Sequence, residues 1–112
     1  MPRPRKRRFV QGPPIADAFL PNRMPPWGRQ EIFLSIEGLE AIKLSDFQGL
    51  DQDTAARMMN VSRQTFGRIL AEARVIVADA LVTGKVLRIE GGHFDMPPRG
   101  RGRHGRRWAG RF

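Results

Sequence analysis

The chain has 112 residues, 40% of them apolar, which suffices for one modest core and one small domain. It contains no cysteine, and this excludes disulfides, thiolate metal sites and thiol nucleophiles. The formal charge is +9, with no apolar run near the roughly 20 residues that span a bilayer, and no apolar segment succeeds the basic N-terminus as a secretory signal requires; a cytoplasmic protein with no membrane contact is expected.

The charge is unevenly placed. Residues 1–8 carry Arg3, Arg5, Lys6, Arg7 and Arg8 without an acid, and residues 99–112 carry Arg99, Arg101, Arg103, Arg106, Arg107 and Arg111, again without one. Eleven of the 20 basic residues therefore sit in two tails, and residues 9–98 hold nine against all 11 acids, a net of −2. Cationic tails bind polyanions by counterion release without needing a fold. A merely solubilising tail is the plain alternative, but arginine suits phosphate better than lysine does.

In chain order, residues 1–8 are expected to be a disordered basic tail, because Pro2 and Pro4 block a helix and the like charges repel. Arg8-Phe9-Val10 has the character of a short strand. Residues 11–30 hold five prolines and two glycines, which rules out a long regular element. They are expected to form an irregular arm that lays Ile15, Phe19, Leu20, Met24 and Trp27 on the core. Residues 31–34 read as a strand. Ser35 then caps a helix over about 36–48, with Ile36, Leu39, Ile42, Leu44 and Phe47 as its apolar stripe and Gly49 as its stop. Asp51 caps the next helix, Gln52–Met59, and Ser62 the third, to about Thr83, ended by Gly84. Residues 86–89 alternate as a strand does, and Gly91-Gly92 ends it. The three strand candidates, near 8–10, 31–34 and 86–89, would pair as one small sheet on the helices. Residues 93–112 read as a disordered Arg/Gly-rich tail. The expected fold is thus mainly α, a three-helix domain over 9–92 with a small sheet.

The stretch from Leu50 to Leu81 carries the functional signal. Ala55 and Ala56 are small enough for a close helix crossing, Asn60 tolerates the left-handed backbone of a tight turn, and Val61 comes next as a buried residue. Phe66, Ile69, Leu70, Ala73, Ile76, Val77, Ala80 and Leu81 recur at spacings of three and four, giving the third helix one apolar face. The opposite face shows Arg63, Gln64, Gly67, Arg68, Ala71 and Arg74. Arg63, Gln64 and Arg68 have the reach and donor pattern for base edges in a major groove. Ser62, Thr65, Arg74 and the free N–H groups of the helix start suit phosphate oxygens. Glu37, Glu40, Asp46, Asp51 and Asp53 would make the earlier helices acidic outside, so that phosphate repulsion turns the third helix toward the duplex. A helical hairpin with a solvated Arg/Gln face is the bland alternative, and a basic outer face on the third helix alone argues against it.

The run LDQDTAARMMNVSRQTFGRILAEAR resembles the last helix-turn-helix of bacterial sigma factors, with Met59-Asn60 where Leu-Gly is usual. Together with MPRPRK at the start, LEAIKLSDFQGL at 39–50 and ALVTGKVLRIEGG at 80–92, it is similar to a family of small prokaryotic proteins described only as predicted DNA-binding proteins of this sigma-like type. That resemblance implies the fold and binding to double-stranded DNA. Many relatives of this kind carry a cysteine in the N-terminal basic run, where this chain reads Arg5-Lys6-Arg7-Arg8, so no thiol or metal role carries over.

His93 and His104 lack metal-ligand spacing, and no nucleophile–base set is present; neither a metal, a cofactor nor an enzymatic activity is expected. Trp108 and Phe112 among arginines suit stacking on unpaired bases. This supports a second reading: RNA binding or nucleic-acid chaperoning through the tail, with the helical domain docking a protein. Val75, beside Ile76 and Val77, widens the apolar arc of the third helix and points to either a homodimer or a contact with the sheet.

Overall fold

In the computed structural model, residues 7–92 and 94–96 are described. Three helices and five short strands form a mixed α/β fold, where the sequence reading expects a mainly α one. Strand β1 is Arg8–Phe9, β2 Ala18–Phe19, β3 Glu31–Leu34, β4 Val86–Ile89 and β5 Phe94–Asp95; the helices are α1 Ile36–Ile42, α2 Gln52–Met58 and α3 Arg63–Thr83.

The central strand is β4. It pairs in parallel with β3, from Glu31 opposite Val86 to Leu34 opposite Ile89, and antiparallel with β2. Parallel neighbours need a crossover, and all three helices supply it. The expected single sheet is corrected in one respect. Residues 8–9 pair with β5 in a separate parallel ribbon, and 18–19 take the third place in the main sheet. Residues 94–96 are accordingly part of the fold, not of a disordered tail, and Met96 packs on the core.

Capping agrees with the sequence. Ser35 Oγ accepts the Gly38 N–H at 3.0 Å, Asp51 Oδ1 that of Thr54 at 2.7 Å, and Ser62 Oγ that of Thr65 at 3.0 Å. Each cap satisfies one N–H that a helix start leaves open. Gly84 closes α3 in the left-handed conformation at φ 71°. The helix expected over 36–48 is regular only to Ile42. Residues Lys43–Phe47 form a π-helical turn, with the Gln48 N–H donating to the Lys43 carbonyl at 2.8 Å. The wider turn rotates the later positions about the helix axis, and Phe47 leaves the apolar stripe for solvent.

Two apolar clusters result. Val10, Leu34, Ile36, Ala73, Ala80, Leu87 and Ile89 join the sheet to α1 and α3. Ala41, Leu44, Ala55, Ala56, Met59, Phe66 and Leu70 join α1, α2 and the start of α3. Gly38 permits the α1–α3 approach: a Cβ there would stand 2.9 Å from Leu34 Cδ1 and 3.3 Å from Ala73 Cβ. The arm over 11–30 is irregular as expected, but it does not cover the core with its large side chains. Ile15 and Trp27 are almost wholly exposed, and Phe19 and Leu20 are about half so. Leu81, assigned to the inner face of α3, is also exposed.

The N-terminal run is anchored sooner than its charge suggests. Arg8 is buried, and its Nη1 donates to Glu37 Oε2 at 3.0 Å with both side chains close to nine-tenths buried. Arg7 Nη1 donates to Asp95 Oδ1 and to the Phe94 carbonyl, both at 3.1 Å. Gly91 and Gly92 end β4 and fold back over the start of α1, where the Ile36 N–H donates to the Gly91 carbonyl at 2.9 Å. At φ 111°, Gly92 lies against the Glu37 carboxylate.

Removing one partner of a buried ion pair strands the other in a place of low polarity. Arg8→Ala should therefore cost about 2–4 kcal/mol in urea unfolding, and the double change to methionine at Arg8 and Glu37 should recover most of it. A loss near zero for Arg8→Ala would make the pair equivalent to a surface one.

Candidate nucleic-acid interface

The surface at the start of α3 is built by its turn. Asn60 takes φ 61°, the single non-glycine residue with positive φ among the described residues. The Val61 N–H donates to the Ala56 carbonyl at 3.0 Å, and the Phe9 N–H donates to the Met59 carbonyl at 3.0 Å. The carbonyl at the end of α2 is thus satisfied by β1, and the turn is held from both sides. Ala55 and Ala56 are buried against Phe66 and Leu70, as a close crossing requires.

On the outer face, Arg63, Gln64 and Arg68 are all exposed. The side chains of Gln64 and Arg68 make no hydrogen bond or ion pair within the described residues. Arg63 Nε lies 3.8 Å from Asp53 Oδ1, between two side chains about two-thirds exposed. A pair that long in water is weak and yields to a phosphate or a base. Ser62 Oγ, already accepting from Thr65, also donates to Thr65 Oγ1 at 3.0 Å, so the two hydroxyls are oriented together.

The predicted phosphate set needs three corrections. Arg8 is buried on Glu37, and Arg7 is held by β5, so neither hangs free in a tail. Arg74 is clamped by Asp46 through two bonds, of 2.6 and 3.1 Å. The Arg74 hydrogen bond holds the Asp46 carboxyl below its ordinary value of 3.8 and raises Arg74 in turn. Arg3, Arg5, Lys6, Arg99, Arg101, Arg103, Arg106, Arg107, Trp108 and both histidines lie outside the described residues.

The expected acidic outside also shrinks. Glu37 faces Arg8, and Glu40 is buried, with Oε1 bound by Lys43 Nζ at 3.2 Å and Oε2 unpartnered among the described residues. Asp51 is occupied as a cap, which lowers it below 3.8 chiefly through the Thr54 N–H, with help from Arg57 and Arg63. With Arg7 and Arg8 counted in the folded part, residues 7–98 carry 11 basic and 11 acidic residues and are neutral.

Two side chains not singled out in the sequence join this surface. Gln52 Oε1 lies 3.7 Å from where a Cβ on Gly67 would stand, so the start of α2 adjoins the outer face of α3. Arg57, exposed at the end of α2, adds its charge beside Asp51. The available signal for Gln52 is its place directly after a capping aspartate.

The sequence model of one family, described as "Protein of unknown function DUF134", matches residues 1–98. The chain belongs to this family. A UPF0251 protein of Caldanaerobacter subterraneus subsp. tengcongensis is 46% identical over 113 residues, covering 96% of each chain. One from Thermoanaerobacter pseudethanolicus is 48% identical, covering 94% of this chain and 95% of its own. One from Dehalococcoides mccartyi is 48% identical, covering 88% and 85%. No solved structure matches. No helix among the described residues is long and apolar enough to cross a membrane.

Asp46, Asp51 and Asp79 are all lowered in the folded chain, the last by Lys85 and Thr83. A depressed carboxylate lends stability above its unfolded pKa and loses it as pH falls through the folded value. Thermal stability should hold above the ordinary aspartate value of 3.8 and fall as the pH drops through and below it. Asp46→Asn should shrink that acid-limb slope in melting curves monitored by circular dichroism; an unchanged slope would mean that the clamp adds nothing to stability. At Gly67 a Cβ would meet only an ordinary contact. Gly67→Ala should raise stability by about 0.5–1 kcal/mol, read from the denaturation midpoint, because glycine costs that much inside a helix.

Proposed function

We propose that the protein binds double-stranded DNA in a sequence-specific way and acts as a transcriptional regulator, with the start of α3 in the major groove. The observation that carries this reading is the outer face of α3. It offers Gln64 and Arg68 without intramolecular partners among the described residues, and Arg63 only loosely held, on one helix end. Gly67 and Ala71 between them are small and leave room for the groove edge. Arginine pairs bidentately with guanine and glutamine with adenine, so the set matches the donor code of the major groove. The helix start adds open N–H groups and the paired hydroxyls of Ser62 and Thr65 for phosphate. The likeness of residues 50–74 to the sigma-type helix-turn-helix points the same way.

Within a neutral folded part, nonspecific affinity falls to the arginine-rich ends of the sequence. Arg3, Arg5 and Lys6 on one side, and Arg99, Arg101, Arg103, Arg106 and Arg107 on the other, add phosphate contacts by counterion release. Arg7, Arg8 and Arg74 are left to structure.

DNA selected from a random pool tests the division. Arg68→Ala or Gln64→Ala should flatten the selected motif at one position, each good base contact being worth ~1–3 kcal/mol of discrimination. A uniform loss of affinity with the motif intact would place these side chains on phosphate instead. Removing residues 99–112 should weaken binding to all sequences and reduce the salt slope. Single-stranded RNA binding that vanishes with this segment, with no duplex preference left, would favour the RNA reading.

A further inference from the structure

The second half of α3 carries an apolar surface that its own fold does not cover. Val75, Leu81 and Val82 are 67%, 77% and 83% exposed, and Ala78 lies among them on the same arc. Leu81 also lines a cavity of about 380 Å³ with Phe19, Leu20, Val77 and Leu87. Phe19 and Leu20, on the edge strand β2 and just after it, are themselves 52% and 56% exposed. The arc and the cavity thus form one continuous patch. By these fractions it presents on the order of 600 Å² of apolar surface, at the upper end of what a monomer leaves to water.

We propose that this patch is the contact surface for a second copy of the chain, packed about a two-fold axis across the α3 helices near Ala78. Three observations favour a copy over another partner. First, the patch is suited to itself. Val75, Ala78 and Val82 follow at spacings of three and four, so Ala78 of one helix can receive the valines of the other. Second, the charges bordering it are mostly already matched within the chain. Arg74 is held by Asp46 at 2.6 Å and Asp79 by Lys85 at 2.9 Å, so apposing two copies brings together fewer free like charges. Third, the area is of the order of the roughly 800 Å² per partner that a stable dimer buries.

About 13 residues separate the patch centre from Arg63–Arg68, or roughly 20 Å along the helix, so the crossing lies between three and four turns from the helix start.

Sedimentation of the full chain without DNA tests the proposal apart from the function. A dimer dissociating in the range of roughly 1–100 µM is expected. Val82→Glu should leave a monomer at those concentrations, with helicity and melting unchanged because the site is exposed. As the chain has no cysteine, Ala78→Cys should form a disulfide-linked dimer on mild oxidation, and Arg57→Cys should not at equal concentration. A monomeric wild type, a dimer indifferent to Val82→Glu, or equal cross-linking of both cysteines would overturn the surface. A dimer that selects no DNA would retain this inference and remove the function; a monomer that selects DNA would do the reverse.

Discussion

Phe66 and Leu70 near one end of α3, and Ala73 and Ala80 further along, lie on one face of a single 21-residue helix but in two different apolar clusters. The other elements are placed by that division. The cluster around Phe66 and Leu70 fixes α2 and the π-helical turn; the one around Ala73 and Ala80 fixes the sheet and the start of α1. Each cluster is small, and a chain this short buries a smaller fraction of its surface than a large domain does. A rigid rod shared by both makes them cooperative, since neither can open without releasing the rod. It also leaves the outer face of α3 to solvent along its whole length.

Electrostatics completes what apolar burial leaves loose. The segment around Arg8 has only two strand residues and could not stay paired alone. It is tied down by the buried Arg8–Glu37 pair, by the Phe9 bond to the end of α2, and by Val10 in the core. Glu37 in turn sits in the first turn of α1, where the helix dipole favours an anion. The same carboxylate thus serves the helix and the N-terminal segment, and Gly92 leaves room for it. With Arg7 and Arg8 counted in the domain, residues 7–98 carry no net charge, and the whole +9 lies in residues 1–6 and 99–112.

The legible parts of the sequence were those with a local cause. Ser35, Asp51 and Ser62 cap helices because their side chains compete for nearby N–H groups, and Asn60 and Gly84 take left-handed backbone because few residues can. These act within a few residues and need no tertiary information. The misses are tertiary. A stripe through Ile36, Leu39, Ile42, Leu44 and Phe47 assumes one helical repeat, and the π-turn over Lys43–Phe47 changes it, which the spacing alone does not show. Arg8 reads as tail because it closes a run of cations; only its partner, 29 residues away, makes it core. Two-residue strands such as β5 have too few residues to show a period. On α3, the exposure of Arg63, Gln64 and Arg68 was legible from helical phase, whereas the capture of Arg74 by Asp46 depended on where α1 ends.

Two glycines within helices separate structural from functional need. Glycine in a helix costs about 1 kcal/mol relative to alanine, so each requires a compensating reason. Gly38 has one inside the fold: a Cβ would press on Leu34 at 2.9 Å and on Ala73 at 3.3 Å. Gly67 has none, for a Cβ there would meet only Gln52 at 3.7 Å, an ordinary contact. A local rule broken without structural gain is expected where a surface is used. Gly67 stands between Gln64 and Arg68 on the outer face, where a missing side chain shortens the distance from the helix backbone to whatever the neighbouring side chains reach. In the proposed complex the bare backbone at Gly67 would let the floor of a major groove come close to the helix itself, a use for the glycine that the fold alone does not provide.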